Sequence, residues 1–402
     1  MTSNANTCHR ELILRADAFA AEKAEEAARD PHRLGYHIMA PSGWINDPNG
    51  LVYFQDEYHV FYQFHPYSSE WGPMHWGHVK SKDLVHWERL PTALAPSEPY
   101  DQNGCFSGSA VDDGGVLTLV YTGNIHTEQK QAQVQCIAVS TDGIHFAKPA
   151  ENPVIGSPPG SSSRDFRDPK VWKHGELWYM VVGYRDREVG RALLYKSRDL
   201  RDWEYIGPLC ENDGRFGHMW ECPDFFPLGD KYVLVISPMG MAGHKNIYLV
   251  GDFDYTTCTF KWQHYGDLDY GYDFYAAQTM AAPNGRRILF GWMNMWGREQ
   301  ISADKGWSGA LTIPRELQLL SDGTLSILPA AELKALRQEH VSFENLHVHG
   351  EAGSQLGDLA GDQMEIIAEF DLAGCNASVL GLRVRCSADG KQETRILYHR
   401  DD

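Results

Sequence analysis

Between positions 36 and 328, apolar residues come in short runs separated by turn formers, a strand-like pattern rather than a helical one. One unit recurs. A polar or acidic opening is followed by a few apolar residues, a turn at Gly or Asp, and a second apolar strand. It reads Asp47-Pro48-Asn49-Gly50 then LVYFQDEYHVFYQF, and Phe106-Ser107-Gly108 then SAVDDGGVLTLVYTG. It returns from Asp168-Pro169, from Glu221-Cys222-Pro223 and from Tyr275-Ala276. The openings fall at positions 47, 107, 168, 221 and 275, a nearly constant period of blade length. A second echo, Ser81-Lys82-Asp83, Ser140-Thr141-Asp142 and Ser197-Arg198-Asp199, predicts a further strand in several units. Five repeats of about four strands predict an all-β, five-bladed β-propeller. A β-sandwich with coincidental turns is the competing reading.

The flanks differ from the repeats. Residues 1 to 35 form a helical lead, with 11 to 29 as an amphipathic helix. Residues 36 to 328 are the propeller, and 329 to 339 read as a linker helix. From 340 to 402 the runs Met364 to Leu372 and Ser378 to Arg385 predict strands of a second, smaller β domain. A sandwich takes about seven strands, so this partial C-terminal β-sandwich reads as truncated.

Composition narrows the classes. Lys and Arg number 36 against 54 Asp and Glu, a formal charge of −18 over 402 residues. That opposes binding to a phosphate backbone, so no nucleic-acid partner is expected. No run approaches the roughly 20 apolar residues that span a bilayer, so no membrane association is expected. The N-terminus is charged throughout rather than signal-like, and the eight cysteines are scattered. A cytoplasmic protein with reduced thiols is the expectation, with homo-oligomerisation left open. His75 and His78 have no HExxH or carboxylate companion, so neither a metal nor another cofactor is expected.

If each opening starts the innermost strand of its blade, then Asp47, Asp168 and Glu221 converge on one end of the central channel. Glycoside cleavage needs two carboxyl groups with different tasks. Asp47 suits the nucleophile, in a turn where Asn49 and Gly50 offer backbone N–H donors, and beside Trp44, whose ring could face sugar C–H bonds. Glu221, between an indole and an apolar run, suits the general acid/base. Asp168, next to Arg167, reads as a permanently ionised stabiliser of the transition state. Gln63, Trp71, Trp76, Phe106, Ser107, Asp273, Tyr275 and Trp292 fall near strand ends or inter-blade loops. Trp71, and Asp273 with Tyr275, are expected in the pocket. Trp292 and Tyr179 are expected in the packing.

These residues carry a resemblance. WINDPNG at 44 to 50, FRDP at 166 to 169 and WECP at 220 to 223 resemble the signature blocks of glycoside hydrolase family 32, the invertases and fructanases. FSGS at 106 to 109 and DFYA at 273 to 276 resemble further blocks. The resemblance implies a propeller followed by a β-sandwich, and retaining cleavage of a β-D-fructofuranoside, the two carboxyls standing about 5 to 5.5 Å apart. It assigns Asp47 as nucleophile, Asp168 as stabiliser and Glu221 as acid/base, and places Asn46, Gln63, Trp71, Ser107 and Arg167 around the fructose. The chain most resembles bacterial intracellular hydrolases of sucrose or sucrose 6-phosphate. A fructosyltransferase, a short-fructan hydrolase and a non-catalytic sugar-binding propeller are the alternatives. Arg185, Arg187, His244, Lys245 and Arg298 are the loop cations that could meet a phosphate.

Overall fold

A computed structural model describes residues 2–128, 130–160, 164–241, 245–348, 356 and 359–400. The chain divides into two compact units, Met1–Ala335 and Leu336–Asp402.

The first unit is a five-bladed propeller preceded by a helix. The innermost strands of the blades are Gly43–Phe54, Cys105–Asp112, Phe166–His174, Met219–Leu228 and Tyr275–Ala281. Each begins an antiparallel meander running outward, and the five lie side by side around the channel. Four blades carry four sequential or near-sequential strands. The second carries three, Cys105–Asp112, Leu117–His126 and Gln131–Ser140, with isolated bridges from Gln135 to Ile155 and from Val139 to Ala147. The ring closes where Trp307–Ser308, after the fifth blade's second strand, pairs in parallel with Gly43 and Trp44 of the first.

Every innermost strand is bulged near its start. The register slips between Ile45 and Pro48, Phe106 and Gly108, Arg167 and Lys170, Glu221 and Asp224, and Tyr275 and Gln278. A bulge bends its strand and re-aims a side chain. Here it turns one residue per blade towards the channel mouth, and Asp168, Cys222 and Ala276 adopt left-handed backbone there (φ 68°, 48° and 54°). In the first four blades the sequence openings therefore lie inside the strand, at or beside its bulge, rather than at its first residue.

The Ser-x-Asp echo is a turn. Asp83, Asp142 and Asp199 each accept backbone N–H bonds two and three residues on, and each is bonded by the preceding Ser hydroxyl. In the first and third blades this turn joins the third strand to the fourth, Glu88–Leu94 and Trp203–Glu211. The acid satisfies donors that the chain reversal leaves unpaired.

Apolar faces of adjacent blades fill the space between them, with Trp76, Trp220, Trp292, Tyr121 and Phe225 fully enclosed. One polar hub is sealed between the first two blades. Asp101 accepts from Lys148 Nζ at 2.6 Å, from Tyr121 hydroxyl at 2.8 Å, and from the N–H groups of Ser97 and Glu98. Removing one partner of such a buried pair costs about 3–5 kcal/mol. The helix Thr2–Ala28 lies on the outer strand of the first blade, with Ala16, Ala20 and Ala27 buried. Asp17 there accepts the Thr92 hydroxyl at 2.6 Å, and His9 Nε2 accepts the Ala95 N–H at 3.1 Å.

Past the fifth blade's last strand, Leu325–Pro329, a short 3-10 helix runs Ala331–Leu336. It is shorter than the helix read over 329 to 339, because Pro329 still belongs to the strand. In the second unit Val379–Val384 and Thr394–His399 pair antiparallel. Met364 to Leu372, expected as a strand, is irregular and exposed, and no described strand pairs with it. No described helix is long and apolar enough to cross a membrane.

Candidate active site

The bulges gather the acids at one mouth of the channel. Asp47, Asp168 and Glu221 line one cleft of about 660 Å³, with Asn46, Gln63, Trp71, Phe106, Ser107 and Arg167 on the same wall.

Asp47 is held through side chains. Trp44 Nε1 donates to Asn46 Oδ1 at 2.7 Å, and Asn46 Nδ2 donates to Asp47 Oδ1 at 2.9 Å. Ser107 Oγ donates to Asp47 Oδ2 at 2.5 Å, and the Cys222 thiol reaches the same oxygen at 3.6 Å. The donors expected from Asn49 and Gly50 do not take this role, because the bulge turns the carboxyl towards the second blade. Trp44 itself is buried against Trp292 and Trp296, so it orients Asn46 instead of facing the cleft. Burial raises the Asp47 pKa, and the bonds from Ser107 and Asn46 oppose that rise.

Asp168 sits deeper. Its Oδ2 accepts the Cys222 N–H at 2.9 Å, and its own N–H donates to Thr122 Oγ1 at 3.0 Å. Burial pushes its carboxyl up to about 7, Arg167 pulls it down, and the charges of Glu221 and Asp47 add to the rise. Burial first, and the two neighbouring acids after it, thus work against the permanent ionisation expected of it. Arg167 is adjacent in sequence, but its guanidinium turns to Glu221. Nε and Nη2 donate to Glu221 Oε1 at 3.0 and 2.9 Å, and Nη1 to Asp165 at 2.9 Å.

The sign of the pH effect follows. A carboxyl whose folded pKa lies above its ordinary 3.8 binds its proton more tightly in the fold, so stability falls as pH rises from about 4 to about 7. Asp168→Asn removes that penalty. It is expected to gain on the order of 2 kcal/mol at pH 8 and little at pH 4, while losing activity. Urea melts at both pH values read the difference, and an equal shift at both would contradict the burial argument.

Tyr275 and Asp273 depart from expectation. Tyr275 is buried and donates its hydroxyl to Glu221 Oε2 at 2.6 Å, so it holds the acid rather than lining the cleft. Asp273 is exposed, outside the cleft, and faces Arg298 at 3.7 Å. Trp76 is core, donating to the Phe106 carbonyl, and Trp292 and Tyr179 are buried as expected. Trp71 is half exposed at the rim, its ring edge-on to Phe106. His75 and His78 are buried, and desolvation lowers both pKa values, His75 to about 3. No group of side chains fit to hold a metal occurs among the described residues.

Several lining residues escaped the sequence reading. Trp296 reaches the cleft from the loop after Trp292. Gln131 and Gln133 line it too, and with the buried Gln135 they alternate along one strand of the second blade. They reach across to Arg164, to Arg167 with the Phe166 N–H, and to the Phe166 carbonyl respectively. Three glutamines at strand period, where a blade wants apolar residues, were the available signal.

Known proteins match this arrangement. The sequence profile of the glycosyl hydrolases family 32 N-terminal domain covers residues 37–329, and that of the glycosyl hydrolases family 32 C terminal covers 332–402. The chain belongs to glycosyl hydrolase family 32. Within it, it is a glycosidase of the β-fructofuranosidase type. A sucrose-6-phosphate hydrolase of Zymomonas mobilis is 44% identical over 389 residues, 90% of this chain and 74% of that protein. A raffinose invertase of Escherichia coli is 44% identical over 329 residues, 78% and 68% of the two chains. A Bombyx mori GH32 β-fructofuranosidase variant solved in complex with sucrose superposes with a TM-score of 0.76 at 43% identity, over 82% of this chain and 71% of that one.

Proposed function

We propose that this protein hydrolyses sucrose and sucrose 6-phosphate by double displacement at the channel mouth. The observation that carries the reading is the convergence of Asp47, Asp168 and Glu221 on one cleft, each fixed by different partners. Asp47 attacks the anomeric carbon of fructose while Glu221 gives its proton to the departing glycosidic oxygen. The fructosyl group is then an ester of Asp47. Water, deprotonated by the ionised Glu221, attacks that carbon and releases fructose and the free Asp47 carboxylate. Asp168 accepts fructosyl hydroxyls and faces the oxocarbenium-like charge. Trp71 and Phe106 form the apolar wall against which the sugar's C–H faces lie. Two names support the substrate: a relative called a sucrose-6-phosphate hydrolase, and a sucrose complex among the similar structures. The reading includes a cytoplasmic setting, where thiols stay reduced, and all eight cysteines are free.

Product analysis tests it. Sucrose should give equimolar glucose and fructose even at high concentration, whereas a large excess of free glucose, with the fructose found in longer sugars, would make the enzyme a transferase.

A further inference from the structure

We infer that a groove on the third blade, beside the catalytic cleft, receives a phosphomonoester on the leaving sugar, with Arg164 and Arg187 as its ligands. The inference rests on the fructosidase reading above and places the phosphorylated end of that substrate.

The groove has a volume of about 730 Å³ and shares Arg164 and Asp165 with the cleft, so one ligand can occupy both. Four arginines line it, and two are neutralised. Arg185 pairs with Glu188 at 2.8 Å and faces Asp165 at 3.8 Å. Arg191 pairs with Asp186 at 2.9 Å and Glu211 at 3.1 Å. Arg164 donates to the uncharged Gln131 side chain, and Arg187 stands exposed at the rim. Neither makes an ion pair among the described residues. Among the described residues these two guanidiniums are the groove's cations without a carboxylate partner, and they stand beside the catalytic cleft. A neutral sugar gains little from them. A phosphate dianion gains charge-assisted, bidentate bonds.

The other loop cations are already engaged. Lys245 donates to the carbonyls of Gly271 and Tyr272, and Arg298 faces Asp273. His244 lies outside the described residues. The groove is thus the better anion site, and Arg164, on its common wall with the cleft, sets the reach from the fructosyl carbon to the phosphate.

The test compares kcat/KM on sucrose 6-phosphate with kcat/KM on sucrose in one preparation, which cancels any fraction of misfolded enzyme. It adds competitive inhibition of sucrose hydrolysis by glucose 6-phosphate and by glucose. The wild type is expected to favour the phosphorylated substrate, and glucose 6-phosphate to inhibit at lower concentration than glucose. Arg187→Gln and Arg164→Gln should each lower the substrate ratio about tenfold, the worth of one charge-assisted bond. Arg187→Lys should keep part of the preference. A wild type that cleaves sucrose but ignores the phosphate overturns the groove assignment and leaves the fructosidase reading standing. An unchanged ratio in both Gln variants also overturns it. Failure to cleave either sugar overturns both readings.

Discussion

An Asp47→Ala enzyme is expected to lose at least about 10⁴-fold in kcat on sucrose, with its fold intact. The loss is large because no other carboxyl can take over the attack. Asp168 is committed to the Cys222 N–H, and Glu221 is fixed by Arg167 on one oxygen and Tyr275 on the other. The fold survives because Asp47 is a burden to it: burial raises its pKa, so ionising it in the folded state is unfavourable. Thermal stability should therefore hold or rise, which separates a lost nucleophile from a collapsed site. The truncated side chain leaves room beside Ser107 for a small external nucleophile. Azide should restore measurable turnover, its nitrogen bonding to the anomeric carbon as the protonated glucose leaves, to give a fructosyl azide. Sucrose turnover within tenfold of wild type would end the assignment of Asp47.

The second large effect concerns the proton. Glu221→Gln should lower kcat on sucrose about 10²- to 10⁴-fold, since the departing glucose oxygen then leaves unprotonated. The same variant should lose much less on a nitrophenyl β-fructofuranoside, whose leaving group departs as a stable anion. Glutamine keeps the size of the side chain but places an NH₂ or a carbonyl where two different donors, Arg167 and Tyr275, both seek an oxygen. Some loss on both substrates is thus structural. The diagnostic quantity is the ratio of the two losses, and a ratio near one would remove Glu221 from the acid role.

Much of this was legible in the sequence because a repeat fold writes itself several times. Openings at 47, 107, 168, 221 and 275 needed no single strong signal, only agreement between weak ones, and they located the three acids and the ring that brings them together. What stayed hidden depends on where side chains turn. Sequence adjacency put Arg167 beside Asp168, but the bulge between Arg167 and Lys170 sends the guanidinium to Glu221, in the next blade. Trp44 looked like a sugar platform, yet it is packed beneath the site, and Trp296, a distant residue on an irregular loop, meets the cleft. Asp273 and Tyr275, two residues apart, part company because one lies on the exposed loop and the other on the buried strand. The state of Asp168 was unreadable for a further reason. It is set by burial together with the charges of Arg167, Glu221 and Asp47 on three blades, which no local window contains.

The closure of the ring has a consequence in time. The strand that carries Asp47 gains its second neighbour, on the side away from its own meander, only when Trp307–Ser308 comes to lie beside Gly43 and Trp44. Those partners are almost the whole propeller apart along the chain, and loops of that span close slowly, after local pairings have formed. On a ribosome the first blade can fold early, but its catalytic strand stays one-sided until the chain just past the fifth blade's second strand has emerged. The blades are local hairpins and can form in series. The active centre is the product of the last long-range contact, so a nascent chain can hold most of the fold before it has any catalytic competence.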